Sequence, residues 1–92
     1  MEKLSEMREE YVRFLRKNGL EIDTCFYSKQ EWQARGEPFG NGADLSLVFE
    51  GALYQVLNYN GGALVDAFYD IATKYGYWVE LGYAWSAHFY RQ

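Results

Sequence analysis

Residues 43–59 read ADLSLVFEGALYQVLNY, two apolar runs, Ala43 to Phe49 and Ala52 to Tyr59, held apart by Glu50-Gly51. A two-residue break containing glycine between runs of strand-forming residues is a β-hairpin signal. So short a loop sets the register: Phe49 faces Ala52, Leu47 faces Tyr54 and Leu45 faces Val56. The other side then receives Asp44, Ser46, Val48, Leu53, Gln55 and Leu57, and is less polar than a fully wetted face.

Downstream, Asn60-Gly61-Gly62 breaks the pattern, and Leu64, Phe68, Ile71 and Tyr75 then mark one face of a helix that stops at Gly76. Asp66, Asp70 and Lys74 fall outside that stripe. Residues 77–91, YWVELGYAWSAHFYR, are strand-like throughout, with Gly82 as the place to turn. A three-residue loop of Gly82, Tyr83 and Ala84 puts Tyr77, Val79, Leu81, Trp85, Ala87 and Phe89 on one face. On the other, Trp78 falls opposite His88 and Glu80 opposite Ser86, with Tyr90 beyond.

Upstream, residues 36–42 hold three of the nine glycines and the only proline, which is a loop composition. Ser28 followed by Glu31 matches a capping box, so Lys29 to Arg35 is expected to form a short helical turn carrying Trp32. Leu20, Ile22 and Phe26 alternate with Glu21, Asp23 and Cys25, the period of a half-buried strand. Leu4, Met7, Tyr11, Phe14 and Leu15 gather on one face of a helix over residues 3–17, closed by Gly19. The expected fold is α+β: a two-layer sandwich of about five antiparallel strands, two hairpins plus one strand, covered by two helices, with residues 1–92 forming a single domain.

Composition narrows the function classes. Hydrophobic residues make up 49% and charged ones 24%, a folded-globule balance, and no run approaches the roughly 20 apolar residues of a membrane span. The charge-dense amino terminus does not resemble a signal peptide and there is one cysteine, so a cytoplasmic protein is expected. The first 17 residues carry five basic and four acidic side chains, the remainder four and nine. An acidic body argues against binding a phosphate backbone and for a basic-surfaced partner. At 20%, aromatic content exceeds what so small a core readily hides, so some rings are expected at a surface or an interface.

No catalytic or metal-binding set assembles from spacing. Ser86, His88 and Glu80 invite a hydrolase reading, but Ser86 and His88 lie two apart on one strand, neither on the sharp turn a nucleophile elbow requires. One histidine and one cysteine cannot make a structural zinc site, no Asp-x-Asp-x-Asp-Gly loop suggests calcium, and the glycine-rich loop has neither a Walker lysine nor a dinucleotide fingerprint. Acidic neighbours Glu21 and Asp23 on the strand would make Cys25 an inert thiol.

The leading expectation is therefore a small non-enzymatic interaction or regulatory protein with no cofactor. It would dock a protein through exposed aromatics in an acidic surround, as a homodimer or as an inhibitor of a basic-surfaced partner. Trp32, Arg35, Glu37 and Phe39, around the glycine-rich loop, are the candidate partner-binding residues, because rings and arginine are over-represented at binding hot spots. The alternative is a small-ligand-binding protein or minimal enzyme using the face of Trp78, Glu80, Ser86, His88 and Tyr90, if that face is concave and open.

Overall fold

The computed structural model describes residues 2–59 and 62–92. Helix α1 spans Glu2–Lys17 and buries Met7, Tyr11 and Leu15, which recur every four residues and so share one face. Gly19, at φ 68, lets the chain turn back, and the buried Leu20 donates its N–H to the carbonyl of Leu15 at 2.8 Å, closing the helix end.

Strand β1 (Thr24–Ser28) runs directly into α2 (Lys29–Arg35). The Ser28 hydroxyl accepts the Glu31 N–H at 3.1 Å and Glu31 Oε1 accepts the Ser28 N–H at 2.8 Å, the expected capping box. After a loop come β2 (Leu45–Phe49), α3 (Ala52–Asn58), α4 (Ala63–Lys74), β3 (Tyr77–Leu81) and β4 (Ser86–Arg91). The strands form one antiparallel sheet in the order β1-β2-β4-β3.

One sheet face carries the main core. Leu45, Leu47, Phe49, Ala87 and Phe89 are buried there against Tyr11 and Met7 of α1, Leu53 and Val56 of α3, and Phe68, Ile71 and Ala72 of α4. Tyr11 and Phe89 meet edge-on with ring centres 5.0 Å apart, and the Tyr11 hydroxyl donates to the Phe68 carbonyl. Burial pushes that hydroxyl's pKa far above its ordinary value, so it stays a neutral donor. At the surface Lys74 and the Tyr75 hydroxyl share Glu10 Oε1, at 2.8 and 2.7 Å.

Several expectations are corrected. Among the described residues the strands number four, not about five, because residues 52–58 form a helix. Leu53, Val56 and Leu57 fit helical spacing as well as a strand run, and periodicity cannot separate the two in so short a segment. Pairing decides: β1 and β4 occupy both sides of β2, leaving no edge for a hairpin partner. Helices also lie on both faces of the sheet, α2 standing apart from α1, α3 and α4, so the two-layer description holds only roughly. Strand β1 starts at Thr24; residues 21–23 form a turn with Asp23 at φ 63, and Ile22 is 74% exposed. Glu21 and Asp23 are therefore not strand neighbours of Cys25, whose side chain is exposed. The final hairpin keeps its predicted faces but shifts register by two: Glu80 pairs with His88 and Trp78 with Tyr90. Trp85 falls in the connecting loop instead of the core row. Of the expected breaker at 60–62, Asn60 and Gly61 lie outside the described residues, and Gly62 stands at the start of α4 at φ 76.

Candidate docking surface

The sheet's second face has a polar centre. Strands β2 and β4 are its inner pair, and Ser46 lies directly opposite His88, with Ser86 two residues along β4. All three are buried, at 1%, 0% and 0% exposure. A buried polar row must be satisfied internally. Ser46 Oγ lies 2.8 Å from His88 Nδ1, Ser86 Oγ lies 3.0 Å from Nε2, and the Tyr83 N–H donates to Ser86 Oγ at 2.9 Å. Among the described residues no buried side-chain nitrogen or oxygen lacks a partner.

The cover over this row comes from α2 and the loop after it. The buried Trp32 sets its ring edge-on to His88 at 4.9 Å and to Tyr27 at 5.8 Å, and its Nε1–H donates to the Phe39 carbonyl at 2.7 Å. Phe39 tilts over His88 at 5.6 Å. Gly40 and Gly82 close in from the loops: a Cβ on Gly40 would fall 2.3 Å from His88 Nδ1, and one on Gly82 2.6 Å from Nε2. Loop side chains brace the rest, with Gln33 donating to the Asn41 carbonyl and Asn41 to the Glu37 carbonyl at 2.9 and 2.8 Å. A segment that reads as a connector by composition is thus pinned at several points.

Burial pushes the His88 pKa down to about 4, because a charged ring has no solvent there. The folded value lies below the unfolded value of about 6.5, so the unfolded chain takes up the proton first. Stability is expected to be complete above pH ~6.5 and to fall by about 2–3 kcal/mol as the pH drops toward ~4. Urea unfolding midpoints across that range check this, and His88→Gln should flatten the slope near pH 6 even if it lowers stability overall.

Outside the buried row lies an arginine in an aromatic setting. The Arg35 guanidinium carbon sits 5.0 Å from the ring centres of Tyr27 and Trp32 and 5.9 Å from that of Trp85. It donates to the Tyr27 hydroxyl at 2.9 Å and pairs with Glu37 at 3.1 Å. Trp85 stacks on Tyr83 at 4.6 Å with rings nearly parallel, and Tyr83 reaches Phe39 at 6.3 Å.

Trp32, Arg35, Glu37 and Phe39 are therefore brought together, in unequal roles: Trp32 is an internal post, while Arg35, Glu37 and Phe39 reach solvent. Trp78, Glu80, Ser86, His88 and Tyr90 share the sheet face but do not form one opening. Ser86 and His88 are sealed below the loop, and the exposed Trp78 stacks on Tyr90 outboard of it at 4.6 Å, not on His88. Surface grooves of about 310–450 Å³ lie along α1, between α1 and α4, and near Tyr77, Asp44 and Arg91, away from those five residues.

The comparisons with known proteins give no match, whether with family models, curated proteins or solved structures. Site chemistry has to stand on geometry. Ser86 and His88 have the atom pairing of a nucleophile and its base, but both are buried, and the second nitrogen faces a serine hydroxyl where an orienting carboxylate would stand. The solvent-facing part is suited to contact: rigid rings, one arginine and one carboxylate.

Residue spacing missed Ser46, Tyr27 and the two clamping glycines, and it set Trp85 in the core row of the hairpin. Ser46 was legible as a second-face residue of β2, but only the pairing of β2 with β4, about 40 residues apart in sequence, sets it against His88.

Proposed function

We propose that this chain is a small non-enzymatic interaction protein that docks a protein partner through the surface around Arg35, Glu37, Phe39, Tyr83 and Trp85. The observation that carries the reading is Arg35 itself, a surface arginine held over three rings and tied to Glu37 and Tyr27. Arginine, tryptophan and tyrosine dominate binding hot spots, and a side chain already ordered loses little entropy when a partner arrives. The anchored loop supports it in the same way.

Net charge of −4 favours a partner with a basic rim around an apolar centre, as an inhibitor of a basic-surfaced protein would meet. Capture on immobilised protein, followed by titration with the purified partner, tests this. Arg35→Ala should weaken binding by about thirtyfold, a hot-spot loss of ~2 kcal/mol, with far-ultraviolet circular dichroism unchanged. Unchanged affinity for both Arg35→Ala and Phe39→Ala would sink the proposal. The small-ligand alternative on the Trp78, Glu80, Ser86, His88 and Tyr90 face has weaker support, since a ligand could reach Ser86 and His88 only if the loop lifted.

A further inference from the structure

The two edges of the sheet are guarded differently. On β1, Arg8 lies over Phe26 at 5.5 Å on the core face and Arg35 over Tyr27 at 5.0 Å on the other, so a charged side chain flanks that edge on both faces. Natural proteins protect edge strands with such charges, with proline or with bulges. The other edge, β3, has one charge, Glu80, and no proline. Its apolar side chains stay partly open on both faces: Val79 and Leu81 are half-buried on the core side, and Trp78 is 42% exposed on the other.

The backbone of β3 shows which groups are free. Gly82 donates to the Ser86 carbonyl at 3.1 Å, and Gln92 donates to the Gly76 carbonyl at 2.9 Å. In an antiparallel ladder alternate residues bond to one side, so Trp78 and Glu80 direct their backbone groups to β4, and Tyr77, Val79 and Leu81 direct theirs to the open edge.

We infer that β3 pairs antiparallel with β3 of a second copy of this chain, about a two-fold axis at Val79, joining the two sheets into one. Tyr77 then pairs with Leu81 of the second copy and Val79 with its own counterpart, so every outward donor and acceptor of the strand finds a partner. The register also solves the charge problem: Glu80 lies opposite Trp78 of the second copy. Centring the axis on Glu80 would set two carboxylates face to face, and centring it on Trp78 would leave Leu81 without a strand partner. On the core side the half-buried Val79 and Leu81 become covered.

A short strand pair buries less than a standard interface, so the dimer should be weak, with a dissociation constant of tens of micromolar. It does not involve the Arg35 surface, and salt separates the two readings. Screening two copies of charge −4 should strengthen the dimer, whereas it should weaken docking of a basic partner.

Sedimentation equilibrium from a few micromolar to several hundred micromolar tests the inference. The native chain should move from monomer to twice its mass. Val79→Pro should weaken association at least tenfold with the fold retained, because that N–H faces outward and its loss costs no bond to β4. In a Cys25→Ser background, Val79→Cys should cross-link to a dimer under mild oxidation, since directly opposed residues in such a pair lie about 5.5 Å apart between α-carbons, within disulfide range. A monomer at the highest concentration, a dimer indifferent to a folded Val79→Pro, or a Val79→Cys chain that does not cross-link would overturn it.

Discussion

Trp32→Ala is expected to lower stability by about 3–5 kcal/mol, the range for removing a large buried aromatic. The ring is fully packed, edge-on to both His88 and Tyr27, and it forms one of the three aromatic walls around Arg35. Its loss also leaves the Phe39 carbonyl without the Nε1–H donor. Trp32→Phe keeps one six-membered ring in place but loses the donor and the rest of the indole together; it should cost less, about 1–3 kcal/mol. Urea denaturation gives both values. Amide exchange in residues 36–44 should speed up in both variants, since the bond they lose anchors that loop. If Trp32→Ala left stability within ~1 kcal/mol of the native chain, the view of Trp32 as the post under the docking surface would fail.

Gly40→Ala is expected to cost about 2–4 kcal/mol, from left-handed strain and a collision together. The residue sits at φ 83, and the added methyl would lie 2.3 Å from His88 Nδ1 and 2.5 Å from Cε1. The ring cannot step aside easily, because Ser46 and Ser86 hold its nitrogens and Gly82 closes the far side. Gly36→Ala provides the comparison: that residue is also left-handed, at φ 78, but nothing lies within 4 Å of its would-be methyl, so only the backbone strain of ~1 kcal/mol applies. Thermal or urea unfolding of the two variants gives the collision as their difference. Truncating the ring should relieve it, so Gly40→Ala should cost less in a His88→Ala background than in the native chain.

These two expected results turn on the same group, and its legibility was partial. His88 stood out as the only histidine, and spacing correctly put Ser86 on its face. The expectation that it lies opposite Trp78 fails because the hairpin turn includes Trp85, moving the register by two and giving Trp78 to Tyr90. The neighbours that cover His88 come from α2, β2 and two loops. None of them is near it in sequence except those of its own hairpin.

The same division runs through the fold. Elements set by contacts within a few residues were readable: the amphipathic stripe of α1, the Ser28 and Glu31 cap of α2, the stripe of α4 and the glycines that end helices. Residues 52–58 were not, because Ala-Leu-Tyr-Gln-Val-Leu-Asn is compatible with either period.

Local spacing and capping thus determined an α+β chain, its helices α1, α2 and α4 and an aromatic final hairpin. Tertiary pairing decided that β2 lies between β1 and β4, and with it that residues 52–58 form a helix and not a strand beside β2. It also turned Ser46, Ser86 and His88 into a buried row and drew Arg35 over three rings. The physical reason is range: a hydrogen bond to the next turn is written in the adjacent residues, whereas the partner of an inner strand depends on which distant segment completes its ladder and covers its face.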